Sequence, residues 1–245
     1  MTWIGLLLVG FAVTDLVFSV RPMPWVPEAV GATSVVVLGL LADLTDPLDL
    51  VALLVLAALA LVWGQAVTRG FASGREWLPL GVFGGALLLA IALSPFAGYA
   101  DGVLGHWLAE TPIGVLADLD GDEALLLLGV MLAQLSTGNV LVRLVLAATG
   151  TINPVRGHGR AVPTYRLKGG RLLGPMERVA IVGLGLAGEL TAASIVVAAK
   201  GLLRWPELQA ARDEGPGIHQ VTEYFLVGSF VSWMIALGSL VLLSG

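Results

Sequence analysis

Arg178, Glu189 and Lys200 are spaced by 11 residues each, in a stretch (residues 177–204) that is otherwise apolar and rich in small side chains. Three turns of α-helix take about 10.8 residues, so one helix would place all three on one face. From first to last it would rise about 33 Å, close to the hydrocarbon thickness of a bilayer. The spacing predicts a membrane span with Arg178 at the inner boundary, Lys200 at the outer one and Glu189 near the midplane. The end charges can reach water by snorkelling. A midplane carboxylate has no such exit, so it faces the bundle interior or a wet cavity. Two readings of Glu189 follow. It is an ion- or proton-linked site, or it is a protonated, hydrogen-bonded residue that fastens helices together.

Polar groups at matching depth in other apolar stretches extend the candidate site. Thr137 and Asn139 lie midway along residues 123–150, with Gln134 nearby, and Ser232 lies at similar depth in residues 221–243. Glu189, Asn139, Thr137, Gln134 and Ser232 form the expected intramembrane cluster; interhelical hydrogen bonding alone is the alternative for it. If the last two spans form an antiparallel hairpin, Lys200 meets Glu223. Asp15 and Arg143, both near the inner boundary, are expected to pair.

The same stretch contains Gly183, Gly185 and Gly188, the GxGxxG spacing of a dinucleotide-binding turn, with Glu207 19 residues beyond. That motif works only inside a sheet of βαβ units. Apolar spans precede it and only 38 residues follow Glu207, so no sheet can assemble. The glycines are read as helix-packing surface. Asp118, Asp120, Asp122 and Glu123 resemble a calcium loop, but Gly121 falls at position four rather than six and Gly129 stands where the ligating Glu belongs. His106, His158 and His219 are scattered, there is no HExxH, and cysteine is absent. No cofactor and no metal is expected.

The 245 residues are 57% hydrophobic and 13% charged, with a mean hydropathy of +0.90. Soluble domains carry about 25% charged residues; half that level cannot cover a water-facing surface. The fold class is therefore an all-α polytopic transmembrane bundle, read as a single integral membrane domain over residues 1–245. Seven spans are expected, at 1–20, 29–44, 48–68, 78–99, 123–150, 177–204 and 221–243. Six is the alternative if 29–44, which is short, does not cross. Residues 1–20 lack a basic leader and are read as a retained span. With seven spans, Arg21, Arg69, Arg75 and the basic loop 151–175 share one side, and the acidic turns near Asp46 and at 100–122 share the other. The positive-inside rule then puts the N-terminus outside and the C-terminus in the cytoplasm. The basic loop carries Arg156, Arg160, Arg166, Lys168 and Arg171. With Arg178 these are the candidate contacts for anionic lipid headgroups or a protein partner. A net charge of -5 argues against nucleic acid. The bilayer is the expected partner, with a second copy or another membrane protein as further candidates.

Several short motifs recur in order along residues 130–235: QLSTG from Gln134 with Arg143, GGRLLG from Gly169 leading into Glu177-Arg178, AAK ending at Lys200, Arg204-Trp205, Glu207-Leu208, and EYFL from Glu223 with Gly228-Ser229. Together this half of the chain resembles a bacterial multi-pass membrane family known as domain of unknown function 3307. The N-terminal half lacks the His- and Asp-containing pattern associated with that family's first span. The resemblance implies a bacterial inner-membrane protein and no particular activity. The residues themselves point first to a transport-like or ion-coupled membrane protein centred on Glu189. A non-catalytic scaffold or regulator acting through loop 151–175 is the alternative. A lipid-modifying enzyme using Glu177, Arg178 and the basic loop comes third, because no nucleophile or metal set accompanies them.

Overall fold

The computed structural model describes residues 1–114, 118–151, 170–213 and 218–244. Among them the chain is all-α, without a strand. The helices are α1 (Thr2–Val20), α2 (Val26–Leu41), α3 (Pro47–Ser73), α4 (Trp77–Leu93) with a 3-10 turn at Ser94–Phe96, α5 (Gly102–Glu110), α6 (Gly121–Leu135), α7 (Thr137–Ala148), α8 (Gly170–Leu186), α9 (Leu190–Asp213) and α10 (Ile218–Leu243). Among the described residues four stretches are long and apolar enough to cross a membrane: Thr2–Val20, Pro47–Ser73, Trp77–Phe96 and Glu223–Leu243. A fifth qualifies if α6 and α7 are taken together.

Local sequence sets these boundaries. α1 stops where Pro22 forces Arg21 into extended backbone (φ -144°, ψ 92°). α2 and α3 carry proline in the first turn, where its missing N–H costs nothing. α2 closes on Asp43 in the left-handed region (φ 61°), and the Leu44 N–H returns to the Gly39 carbonyl.

Two compact units divide the chain, Met1–Thr137 and Gly138–Gly245. In the first, α1 is buried along nearly its whole apolar length, from Trp3 through Ala12. A helix that is apolar all round has no face to offer water and belongs in the centre; α2, α3, α4 and α6 surround it. The close approaches fix direction. Thr14 lies beside Gly31 and Val35 beside Gly10, so α2 runs antiparallel to α1. Glu28 lies beside Gly64 and Leu53 beside Gly39, so α3 returns parallel to α1. Pro79 meets Gly70 and Gly98 meets Asp49, so α4 reverses again. α6 runs parallel to α1, with Leu125 on Gly5 and the Ser136 hydroxyl donating to the Ala12 carbonyl at 2.8 Å. Gly5 and Gly129 make the α1–α6 crossing close: a Cβ on Gly5 would stand 2.6 Å from the Leu125 carbonyl carbon.

The second unit packs α8 against α9 and α10, and α9 against α10. Glu177 and Arg178 reach Trp233 and Ser232, and Gly185 abuts Leu240, so α8 and α10 run parallel.

Two expectations are corrected here. Residues 177–204 are not one continuous helix. α8 ends at Leu186 and α9 begins at Leu190. Gly188 takes φ +77°, the Glu189 N–H bonds the Leu184 carbonyl at 2.8 Å, and the Gly188 N–H bonds the Gly185 carbonyl at 3.1 Å. This pair of bonds around a left-handed glycine is a Schellman stop. The third glycine of the GxGxxG spacing is thus a helix terminator, and the alignment of Arg178, Glu189 and Lys200 on one face is lost. Residues 123–150 are likewise interrupted, at Ser136 (φ -122°, ψ -69°). Gly81, Gly84 and Gly85 on α4 have nothing within 4 Å of a Cβ built on them.

Candidate functional site: buried polar groups in an apolar bundle

The first unit holds polar groups at both ends of α1. At the N-terminal end, the Trp3 indole donates to Asp49 Oδ1 at 3.0 Å, and the Gly98 N–H donates to the same oxygen at 3.1 Å. The Thr2 hydroxyl bonds Asp122 Oδ1 at 2.7 Å, the Ala100 N–H reaches the same oxygen at 2.7 Å, and the Met1 amine lies 3.9 Å from Asp122 Oδ2. The acidic loop's Asp122 is therefore a fastening point, and Glu123 accepts from the Asp120 N–H that starts α6.

At the other end the roles swap. The Trp63 indole, on α3, donates to both oxygens of Asp15 on α1, at 3.2 Å each, and the Thr137 hydroxyl donates to Asp15 Oδ2 at 2.7 Å. Trp63 stacks on Phe11 with ring centres 5.1 Å apart, and Phe83 closes the cluster at 5.6 Å from Trp63. The hydrogen bonds of Asp15 go to Trp63 and Thr137, both in the first unit, whereas Arg143, expected to pair with it, belongs to the second.

Glu28 lies in this same end layer. It enters at the start of α2, is 4% exposed, and its side chain touches the position of Gly64 beside Thr14. The Gln65 amide donates to Glu28 Oε1 at 2.8 Å, whereas Oε2 is buried and has no hydrogen-bond partner among the described residues. An acceptor left unsatisfied in an apolar interior costs about 1–3 kcal/mol, and more when it is charged. Sequence reasoning missed Glu28 because the second apolar run was read from residue 29, whereas α2 begins at Val26. The usable signal was its place as the one acid within the first turn of an apolar helix.

In the second unit the centre is Arg178, 1% exposed. Its Nη2 donates to Asn139 Oδ1 at 2.8 Å and its Nη1 to Ser232 Oγ at 3.1 Å. Glu177, also buried, accepts from the Trp233 indole at 2.8 Å. Asn139 and Ser232, placed at one depth by the sequence, both bond Arg178, which lies between them. Glu189 stands exposed on the turn between α8 and α9. Thr137 belongs with Asp15, and Gln134 is fully buried in the first unit. Arg178 is a buried bridge rather than a headgroup contact.

The basic residues Arg156, Arg160, Arg166 and Lys168 lie outside the described residues, as do the side chains of Arg171 and Lys200, and with them the Lys200–Glu223 pair. Among the described residues no three His, Asp or Glu side chains are grouped to hold a metal. Comparison with family models, with curated proteins and with solved structures finds no match to this chain.

Proposed function

We propose that the chain is a multi-pass membrane protein with an ion-coupled, transport-like role, and that Glu28 carries the ion step in place of Glu189. The observation behind this is the buried Glu28 Oε2, which has no donor. Ionisable groups inside apolar helices are expensive and mark ion or proton paths. A carboxylate that must meet an arriving ion needs a free oxygen, and Glu28 has one. Asp15, accepting from Trp63 and Thr137 in the same layer, is the fixed negative neighbour.

In the first unit α1, α2, α3, α4 and α6 act as crossings, and Glu223–Leu243 of α10 is long and apolar enough to add another. α2 has 16 residues, about 24 Å of rise, and is short for a lone span. Its antiparallel register carries it alongside α3 from the Gly64 layer to the Leu53 layer, about 16 Å of rise. A count of seven treats 177–204 as one span, and the turn at Gly188 argues against that. Parallel α1 and α3 bring Arg21, Arg69 and Arg75 to one end and leave Asp43, Asp46, Asp101 and Asp122 at the other, with Met1. That distribution supports an external N-terminus by the positive-inside rule. A bacterial inner membrane rests on the family resemblance alone.

The test is proton- or cation-gradient-driven flux in reconstituted vesicles. Wild type and Glu189→Gln should conduct alike, and Glu28→Gln should fall to the level of protein-free vesicles. Wild-type flux at that background, or undiminished flux with Glu28→Gln, would sink the proposal.

A further inference from the structure

We propose that α5 is an interfacial helix, with Val103 and Trp107 in the headgroup–acyl boundary of the bilayer and His106 and Glu110 facing water. The inference rests on the membrane reading above, but not on the role of Glu28.

Nine residues rise about 14 Å, too little to cross. The helix is fastened to the bundle at the end where Met1 lies. The Asp101 N–H donates to the Ala42 carbonyl at 2.9 Å. Gly102 takes φ +65°, and a Cβ there would stand 3.0 Å from the Leu41 carbonyl oxygen. α5 packs on α2 and α6. At about 100° per residue the helix shows three strips. Leu104 and Leu108 make one, and Leu108 is 4% exposed, so this strip rests on the bundle. Val103 and Trp107, one turn apart, make the second and are 65% and 55% exposed. His106 and Glu110 make the third; they are exposed, and their side chains lie 3.3 Å apart. The apolar exposed strip lies between the packed strip and the polar one. A helix lying along a membrane surface has that arrangement, with one side in acyl chains and the other in water.

The surroundings identify the occupant. The outward side of α4 leads to this level through Leu88, Leu89, Ile91 and Leu93, all exposed, and ends in exposed Phe96 and Tyr99. Trp and Tyr concentrate at such boundaries because their rings are apolar and their N–H or O–H is wet. Residues 76–142 contain no Lys or Arg. Attraction to anionic headgroups is therefore absent, and insertion is apolar and insensitive to salt. A basic protein seated on the neighbouring carboxylates would instead leave at high salt.

The chain has no cysteine, so single-cysteine variants label cleanly. Val103→Cys, His106→Cys and Leu88→Cys would carry a nitroxide in proteoliposomes, with oxygen reporting lipid and a water-soluble nickel chelate reporting water. The oxygen-to-nickel accessibility ratio should be highest at position 88, intermediate at 103 and several-fold lower at 106, unchanged by salt. A ratio at 103 equal to that at 106 would overturn the inference, since α5 would then lie in water. Shielding of position 103 from both reagents would overturn it in favour of a protein partner. A low ratio at Leu88→Cys would overturn the membrane reading as well. Brominated lipid should also quench wild-type fluorescence more than that of Trp107→Phe; equal quenching counts against the insertion.

Discussion

Gly5→Ala should destabilise the first unit by roughly 2 kcal/mol, although it replaces the poorer helix former with the best one. A Cβ at Gly5 would stand 2.6 Å from the carbonyl carbon of Leu125, 2.7 Å from its oxygen and 2.7 Å from the Leu126 nitrogen. Carbon–carbon contacts are comfortable at about 3.5–4.0 Å, so the new methyl is short by about 1 Å. The obstruction is the backbone of α6, which no rotamer change can move. α1 and α6 must part, and separation thins the contacts along the whole crossing, including the one where Gly129 meets Leu8. Overpacking costs about 1–3 kcal/mol, and a rigid obstacle puts this case at the upper end. Helix propensity returns about 1 kcal/mol. Gly81→Ala is the matched control: it earns the same propensity gain and meets nothing within 4 Å. It should therefore be neutral or stabilising by up to about 1 kcal/mol. Unfolding in mixed bicelles with increasing dodecyl sulfate, followed by tryptophan fluorescence, measures both. Equal stability of the two variants, or a Gly5→Ala protein as stable as wild type, would refute the α1–α6 crossing as described.

Two further perturbations probe the polar groups by the same unfolding measurement. Trp63→Phe keeps the ring stack on Phe11 but removes the donor to Asp15, so a loss of about 1–3 kcal/mol is expected. Combined with Thr137→Val, which removes the other donor, the losses should be non-additive; simple addition would mean that the two do not share Asp15. Arg178→Lys should cost roughly 1.5–3 kcal/mol, because a single ammonium cannot reproduce the planar fork that reaches Asn139 and Ser232. Ser232→Ala should then cost less in that background than in wild type, and an unchanged cost would argue against the bridge.

Much of the bundle was legible because composition and helical rise are uniform rules. Asn139 and Ser232 were matched in depth by counting residues, and they do meet the same side chain. The breaks were not legible. An apolar run reads the same whether it is one rod or two helices, and neither Ser136 nor Gly188 interrupts hydropathy. Gly188 was treated as packing surface because the GxGxxG spacing drew attention to small size rather than to backbone sign. Once the chain turns there, Glu189 moves from a midplane position to an exposed one, and Arg178 changes from a snorkelling anchor to a buried bridge. The shortness of α2 left its crossing open in the sequence; its register against Gly10 and Gly64 was visible only in three dimensions.

Four acids of the first unit accept hydrogen bonds that join its parts; Asp15, Glu28 and Asp49 are buried and Asp122 is half-buried. Asp49 accepts from Trp3 and Gly98, Asp122 from Thr2 and Ala100, and Asp15 from Trp63 and Thr137. Each tie joins α1 to another part of the unit, and α1 carries Trp3 and Asp15 12 residues apart, about 18 Å of rise. α3 answers with Asp49 and Trp63, so each helix gives one indole and one carboxylate to the other. Two such ties at opposite ends fix both tilt and register, which apolar packing inside lipid does weakly because lipid tails compete as equals. Glu28 accepts one bond from Gln65, and its other oxygen is fully buried without a hydrogen-bond partner among the described residues. A residue kept only for register would be better served by glutamine, whose amide can donate as well as accept. In this layer both oxygens of Asp15 accept hydrogen bonds, whereas the proposed ion step would use the buried second oxygen of Glu28.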